Sequence, residues 1–194
     1  MIVRGRSTVT VVRSGDGAYA LTRRHISRSE YARFAEATGR PLHNAYGLTE
    51  TTSPMTVSPY GVEIPVDPDS GALSVGLPAP STVVRIVGDD GADLPLGEIG
   101  EIVAEGPQVV AGYWNKPEET EATFHNTLTH PLAEGSHSEG APQDAKWMRT
   151  GDYGVWLDGE LYITGRVKDL VIVDGRNHYP QDLEATAQLA SEAD

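Results

Sequence analysis

The chain contains no cysteine, which removes disulfides, thiolate metal sites and a thiol nucleophile together. Lysine is almost as scarce: the 194 residues include only Lys116, Lys146 and Lys168. Basic residues number 15 against 28 acidic ones, for a net charge of -13. Nucleic acid and anionic membranes both reward clustered Lys and Arg, so neither is an expected partner. Apolar runs are short, none approaching the ~20 residues that cross a bilayer, and no apolar leader follows Met1. A cytoplasmic protein with one sizeable core is the expectation at this length.

Glycine and proline are not scarce. Their counts of 21 and 13 predict many turns and short strands rather than a helical bundle. Residues 9–12 and 18–22 fit a hairpin around Ser14-Gly15-Asp16-Gly17. Ser29 is placed to cap a helix running to Gly39, with Tyr31, Phe34 and Ala35 on its apolar face. Residues 42–46 read as a short buried strand that delivers Gly47 and the residues up to Glu50 to a loop. From 70 to 112, apolar strands alternate with turns. Residues 83–87, a turn at Asp89-Asp90-Gly91 and residues 98–105 fit a small β-barrel or a strongly twisted sheet. Pro117–Phe124 reads as a helix opened by proline and acidic residues. Residues 126–145 are polar and read as a mobile surface loop. Residues 170–173 and a helix led by Pro180 read as a small separate unit.

The stretch RTGDYGVWLDGELYITGRVKDLVIVDGRNHYPQDLE, residues 149–184, carries the most chemistry. Asp158-Gly159 is a strong two-residue hairpin turn, because both residues tolerate positive φ. Pairing back from that turn sets Leu157 against Glu160 and Asp152 opposite Gly165, so Asp152 and Arg166 meet at the open end. A carboxylate with two acceptor oxygens and a guanidinium with fixed donors can grip a vicinal diol. They can equally form a plain ion pair that closes the hairpin.

Four further blocks bear on that choice: NAYGLTETT at 44–52, SVGLPAP at 74–80, GEIGEIVAEGPQVVAGYWNKPEETEATF at 97–124, and TGD followed by GRVKDLVIVDGRNHYP. In this order and spacing the chain resembles the adenylate-forming superfamily of acyl-CoA synthetases, fatty acyl-AMP ligases and peptide-synthetase adenylation domains. The resemblance covers most of the chain from about residue 31. It implies a mixed α+β fold: a β-rich, barrel-like subdomain of the large AMP-binding domain at 29–167, then the start of a small C-terminal domain at 168–194. Residues 1–28 stay unassigned. Residues 31–124 read like an acyl-CoA ligase, and those from 147 onward more like a fatty acyl-AMP ligase, the branch that supplies polyketide-synthase carrier proteins.

The resemblance also assigns roles. It implies ATP or AMP and Mg²⁺ as ligands, a fatty acid as substrate, and CoA or an acyl carrier protein as thiol acceptor. Tyr46, with Gly47, would lie against adenine, Thr49 would hydrogen-bond the α-phosphate, and Glu50 would help to hold Mg²⁺. An aromatic face, a hydroxyl donor and a hard oxygen suit those tasks. Asp152 and Arg166 would bind the ribose hydroxyls, Lys168 would mark the hinge between two half-reactions, and Gly175 would line the acceptor tunnel. His125, His130 and His137 lack the spacing of a metal site and read as solvated loop residues, while His178 shapes a turn. Trp114, Trp147 and Trp156 read as core or barrel-edge aromatics.

Adenylate formation brings two anions together and needs concentrated positive charge. The superfamily supplies it through a glycine-rich phosphate loop with a lysine and through a second lysine late in the small domain. None of the three lysines here stands in such a context. The reading is a segment of a fatty-acid-activating ligase; the alternative is an inactive remnant or truncated frame that at most binds nucleotide.

Overall fold

The computed structural model describes residues 10–14, 17–21, 28–68, 72–132, 144–169, 171–173 and 176–178, with side chains described for 31–68, 72–132 and 144–169. The chain opens with a hairpin of β1 (Thr10–Ser14) and β2 (Gly17–Leu21), in which Ser14 faces Gly17. Helix α1 (Arg28–Thr38) starts one residue before the expected cap, so Ser29 lies inside it. Its Tyr31 packs with Leu42, Ile64 and Leu73 in a small cluster that Phe34 flanks.

The expected strand at 42–46 is paired only at β3 (Ala45–Tyr46). Leu42 and Tyr46 are buried while His43 and Ala45 are exposed, so the segment is half-buried rather than buried throughout. β3 pairs with β4 (Thr56–Val57), and β4 with β5 (Leu77–Pro78). The larger sheet has the order β6 (Val83–Val87), β7 (Gly100–Glu105), β8 (Met148–Leu157) and β9 (Glu160–Arg166), all antiparallel. A bridge between Ser74 and Tyr162, with the Val75 N–H donating to the Leu161 carbonyl at 2.8 Å, joins the two sheets. This is the β-rich body that the sequence implied, with β7 starting at Gly100 rather than at 98.

Strand alternation explains how β6 is buried on both faces. Val84 and Ile86 enter the main core with Tyr46, Met55, Ile102, Met148, Trp156 and Leu161. Val83 and Val87 turn the other way, onto Val103 and Trp147. Arg85 shares that second face, pairs with Asp93, and lies 5.6 Å from the Trp147 ring centroid. A buried charge is costly unless paired; Asp93 supplies the partner and the Trp147 ring a cation–π contact, while Arg85 Nε and Asp93 Oδ1 have no hydrogen-bond partner among the described residues.

Helix α2 (Pro117–Phe124) runs over the expected residues, with proline in its first turn followed by Glu118 and Glu119. The segment after it is not free where it can be described. Asn126 bridges Trp147, Leu128 packs under the second cluster, and the Leu132 N–H donates to Asp93 Oδ2 at 3.1 Å. Residues 133–143 of the expected loop lie outside the described residues. Trp147 and Trp156 are core residues as expected, but Trp114 is 90 % exposed. It directly precedes Asn115 at φ 54°, in a turn that directs it away from the sheets. After β9 come a single 3₁₀ turn (Val167–Asp169) and a hairpin of β10 (Val171–Val173) with β11 (Arg176–His178). The Pro180-led helix lies outside the described residues.

Candidate functional site

The Asp158-Gly159 turn forms with both φ values positive, at 49° and 84°, and Leu157 pairs with Glu160 as read from the sequence. Lower down, the ladder departs from simple pairing. A β-bulge inserts Thr164 between Ile163, opposite Gly154, and Gly165, opposite Tyr153. Asp152 therefore faces Arg166 directly, not Gly165. An extra residue on one strand shifts every later pair by one and tightens the local twist. The Arg166 Nε–H donates to Asp152 Oδ1 at 3.0 Å.

The second carboxylate oxygen is held from far away in sequence. The Tyr46 hydroxyl donates to Asp152 Oδ2 at 2.7 Å across a separation of 106 residues. Tyr46 is 7 % exposed and its ring packs in the main core. Tyr46 works here as an anchor for Asp152. Burial, then the Asp152 charge, pushes its phenol well above the ordinary value, so it remains a donor. Asp152 itself is largely buried, whereas the Arg166 side chain is 64 % exposed. A carboxylate offers about four lone-pair directions. Two are taken here by protein donors.

That shift has a testable consequence. A phenol near pKa ~10 when unfolded and higher when folded favours the fold below ~10. Its contribution is lost as pH rises through the folded value. Urea unfolding between pH 9 and 11.5 should show stability falling above ~10, and the fall should shrink in Tyr46→Phe. An unchanged pH slope in that variant would remove Tyr46 from the balance.

After Tyr46 the chain turns sharply. A Cβ at Gly47 would lie 2.8 Å from the Pro54 Cα, so only glycine lets the two segments approach this closely. The 3₁₀ turn Thr49–Thr51 follows. Fully buried Thr51 holds it: its hydroxyl accepts the Leu48 N–H at 3.0 Å and lies 2.9 Å from the Leu48 and Ser53 carbonyls. Thr51 was not singled out in the sequence, although a hydroxyl two residues before Ser53 is a local turn signal. The turn leaves Thr49 exposed and Glu50 half-buried. Glu50 Oε1 accepts from the Tyr113 hydroxyl at 2.7 Å, and its carbonyl accepts from Val110 N–H at 2.9 Å. Tyr113 packs edge-on against Phe124, and burial together with the Glu50 hydrogen bond raises its pKa.

The structure thus joins Tyr46, Asp152 and Arg166 directly and sets Thr49 and Glu50 on the turn that follows Tyr46. Lys168 is exposed on the 3₁₀ turn just after Arg166, not on a strand. Gly175 lies outside the described residues. Among the described residues, no group of three His, Cys, Asp or Glu side chains could hold a metal by itself. His125 is at the exposed end of α2 with Glu121 2.5 Å away. Among the same residues no helix is long and apolar enough to cross a membrane.

Residues 23–114 match the AMP-binding enzyme family. Over 198 aligned residues, 87 % of this chain and 31 % of the relative, the chain is 44 % identical to a long-chain-fatty-acid–AMP ligase of Mycolicibacterium smegmatis. Along most of its length the chain is similar to adenylate-forming enzymes. That alignment spans both the stretch resembling acyl-CoA ligases and the one resembling acyl-AMP ligases. Solved adenylate-forming enzymes share the fold. ATP-bound MatB from Rhodopseudomonas palustris is 32 % identical with a TM-score of 0.64, over 83 % of this chain and 27 % of its own. A fatty acyl-adenylate ligase structure described from E. coli and L. pneumophila is 25 % identical with a TM-score of 0.65, over 85 % of this chain and 31 % of its own. The chain spans about a third of the length of the first of these relatives.

Proposed function

We propose that the chain carries nucleotide-binding elements of a cytoplasmic, AMP-forming fatty acid ligase. The whole enzyme would join a fatty acid to AMP at the expense of ATP and pass the acyl group to CoA or a carrier-protein thiol. One observation carries the reading: Asp152 is gripped from two distant segments by Tyr46 and Arg166, with acceptor capacity left for two further donors. A ribose offers two adjacent hydroxyls that fit it. In this reading residues 29–167 belong to the large domain and 168–194 open the small one, with Lys168 at the hinge and Gly175 on the acceptor loop.

Thr49, exposed beside this site, donates its hydroxyl to the α-phosphate. Glu50 supplies one hard oxygen held in place by Tyr113. A single carboxylate suits Mg²⁺, which keeps several waters and takes its other ligands from phosphates. When bound there, Mg²⁺ neutralises charge on the phosphate oxygens. The protein's part is to fix the direction of the Glu50 carboxylate and to hold the nucleotide by its ribose.

The scarcity of lysine supports a second reading, in which this chain binds nucleotide without turnover. Both readings require a site that recognises base-linked ribose and phosphate together. Calorimetric titration should therefore show AMP binding more tightly than adenine or inorganic phosphate. Equal affinity for AMP and phosphate would remove the ribose and the base from the site.

A further inference from the structure

The backbone that presents Asp152 is clamped from the neighbouring strand by a buried acid. Between the pairs Glu101–Tyr153 and Val103–Arg149 the β7–β8 ladder skips, so Thr150, Gly151 and Asp152 stand against the single residue Ile102. A bulge of this size frees backbone donors that the ladder no longer satisfies. Glu101 meets one of them: its Oε1 accepts the Gly151 N–H at 3.1 Å. Its Oε2 accepts the Arg149 Nε–H at 2.8 Å and a second bond from Arg149 Nη2. On the same bulge the Thr150 hydroxyl donates to the Ile102 carbonyl at 2.8 Å and accepts the Asp152 N–H at 3.1 Å.

Glu101 is 5 % exposed, and a buried carboxylate is costly unless it is paired and hydrogen-bonded. Its strand neighbour on that face, Val103, is apolar and packs with Trp147, so packing there does not call for an acid. What the acid adds is a fixed position for Gly151, one residue before Asp152. The Arg149 guanidinium, whose charged form Glu101 stabilises through that hydrogen bond, keeps the carboxylate aimed at the bulge.

We propose that Glu101 is a positioning residue for ribose recognition, acting through the Thr150–Gly151–Asp152 bulge. The inference rests on the ribose reading of Asp152 given above. Glu101 touches no ligand. It sets the backbone from which both oxygens of Asp152 reach Tyr46, Arg166 and a vicinal diol, and loosening it blurs selection for the diol before it affects contacts elsewhere on the nucleotide.

The test compares AMP with 2′,3′-dideoxy-AMP by calorimetry on the full 194-residue chain. Glu101→Gln keeps size and one acceptor oxygen but turns an amide N–H toward either Gly151 or Arg149. It should weaken AMP binding about tenfold, the scale of one lost charged hydrogen bond, and leave dideoxy-AMP binding unchanged. Val103→Ala, on the same strand, should lower stability and keep the preference for AMP. Should Glu101→Gln not fold, Arg149→Met tests the clamp from its half-exposed side and should cause the same selective loss. Equal weakening of both nucleotides in the folded variant, or full retention of the AMP preference, overturns the role of Glu101. A wild-type chain that binds both nucleotides alike overturns the ribose reading itself, and this inference with it.

Discussion

Given ATP, Mg²⁺ and a long-chain fatty acid, the purified 194-residue chain is expected to release pyrophosphate no faster than the protein-free mixture. The reaction joins a carboxylate to an α-phosphate, so the transition state concentrates negative charge. The chain carries 28 acidic and 15 basic residues and only three lysines. Lys116 is exposed and already paired with Glu119 at 2.6 Å. Lys146 and Lys168 are exposed, one beside Trp147 and the other on the 3₁₀ turn after Arg166. Removing a single preorganised donor typically costs ~10²–10³ in rate, and here neither a glycine-rich phosphate loop nor its lysine is among the residues of the sequence. Nucleotide binding by Thr49, Glu50, Asp152 and Arg166, as proposed, would still leave this barrier in place. Fatty-acid-dependent release that disappears in Glu50→Ala would show that the site turns over.

Trp156→Ala should be the most damaging single truncation of the body. Trp156 is 2 % exposed and lies in the main core with Tyr46, Val84, Ile102, Met148 and Leu161, which come from both sheets. Emptying such a site costs ~3–5 kcal/mol, a large part of the ~5–15 kcal/mol available to an ordinary domain. Trp156 and Asp152 share β8, so loss of the core also releases the strand that carries the site. Urea unfolding followed by circular dichroism should show the midpoint falling steeply, with Trp156→Phe intermediate. A change below ~0.5 kcal/mol, the range of ordinary surface substitutions, would mean that the two sheets do not share this core.

The sequence made local features readable where local physics decides them. The Asp158-Gly159 turn and the proline-led helix α2 are set by backbone preferences, and both occur where expected. The meeting of Asp152 with Arg166 was legible to within one residue, because nothing in the alternation of Ile163, Thr164 and Gly165 announces a bulge. The motif order pointed to Tyr46 and Asp152 separately, yet the 106-residue contact between them is tertiary and leaves no local trace. It also shows Tyr46 as a buried donor to Asp152, a contact the motif alone does not announce. Glu101 and Thr51 were missed for related reasons: an acid inside an apolar strand and a threonine in a turn each have ordinary surface explanations until burial is known. Trp114 misled in the opposite direction, since a large aromatic between strands is usually core, but the turn at Asn115 exposes it.

Asp152→Asn tests most directly whether Asp152 reads a ribose. The asparagine keeps the shape and one acceptor oxygen but loses charge and half of the acceptor capacity. Binding of AMP and of 2′,3′-dideoxy-AMP should be measured by calorimetry for wild type and variant at one pH and salt. AMP binding is expected to weaken by on the order of 2–4 kcal/mol, one charged hydrogen bond lost and the other reduced to a neutral one in a largely dry site, while dideoxy-AMP binding stays nearly unchanged. Equal losses for the two nucleotides would contradict the account and leave Asp152 and Arg166 as an ion pair that only closes the hairpin.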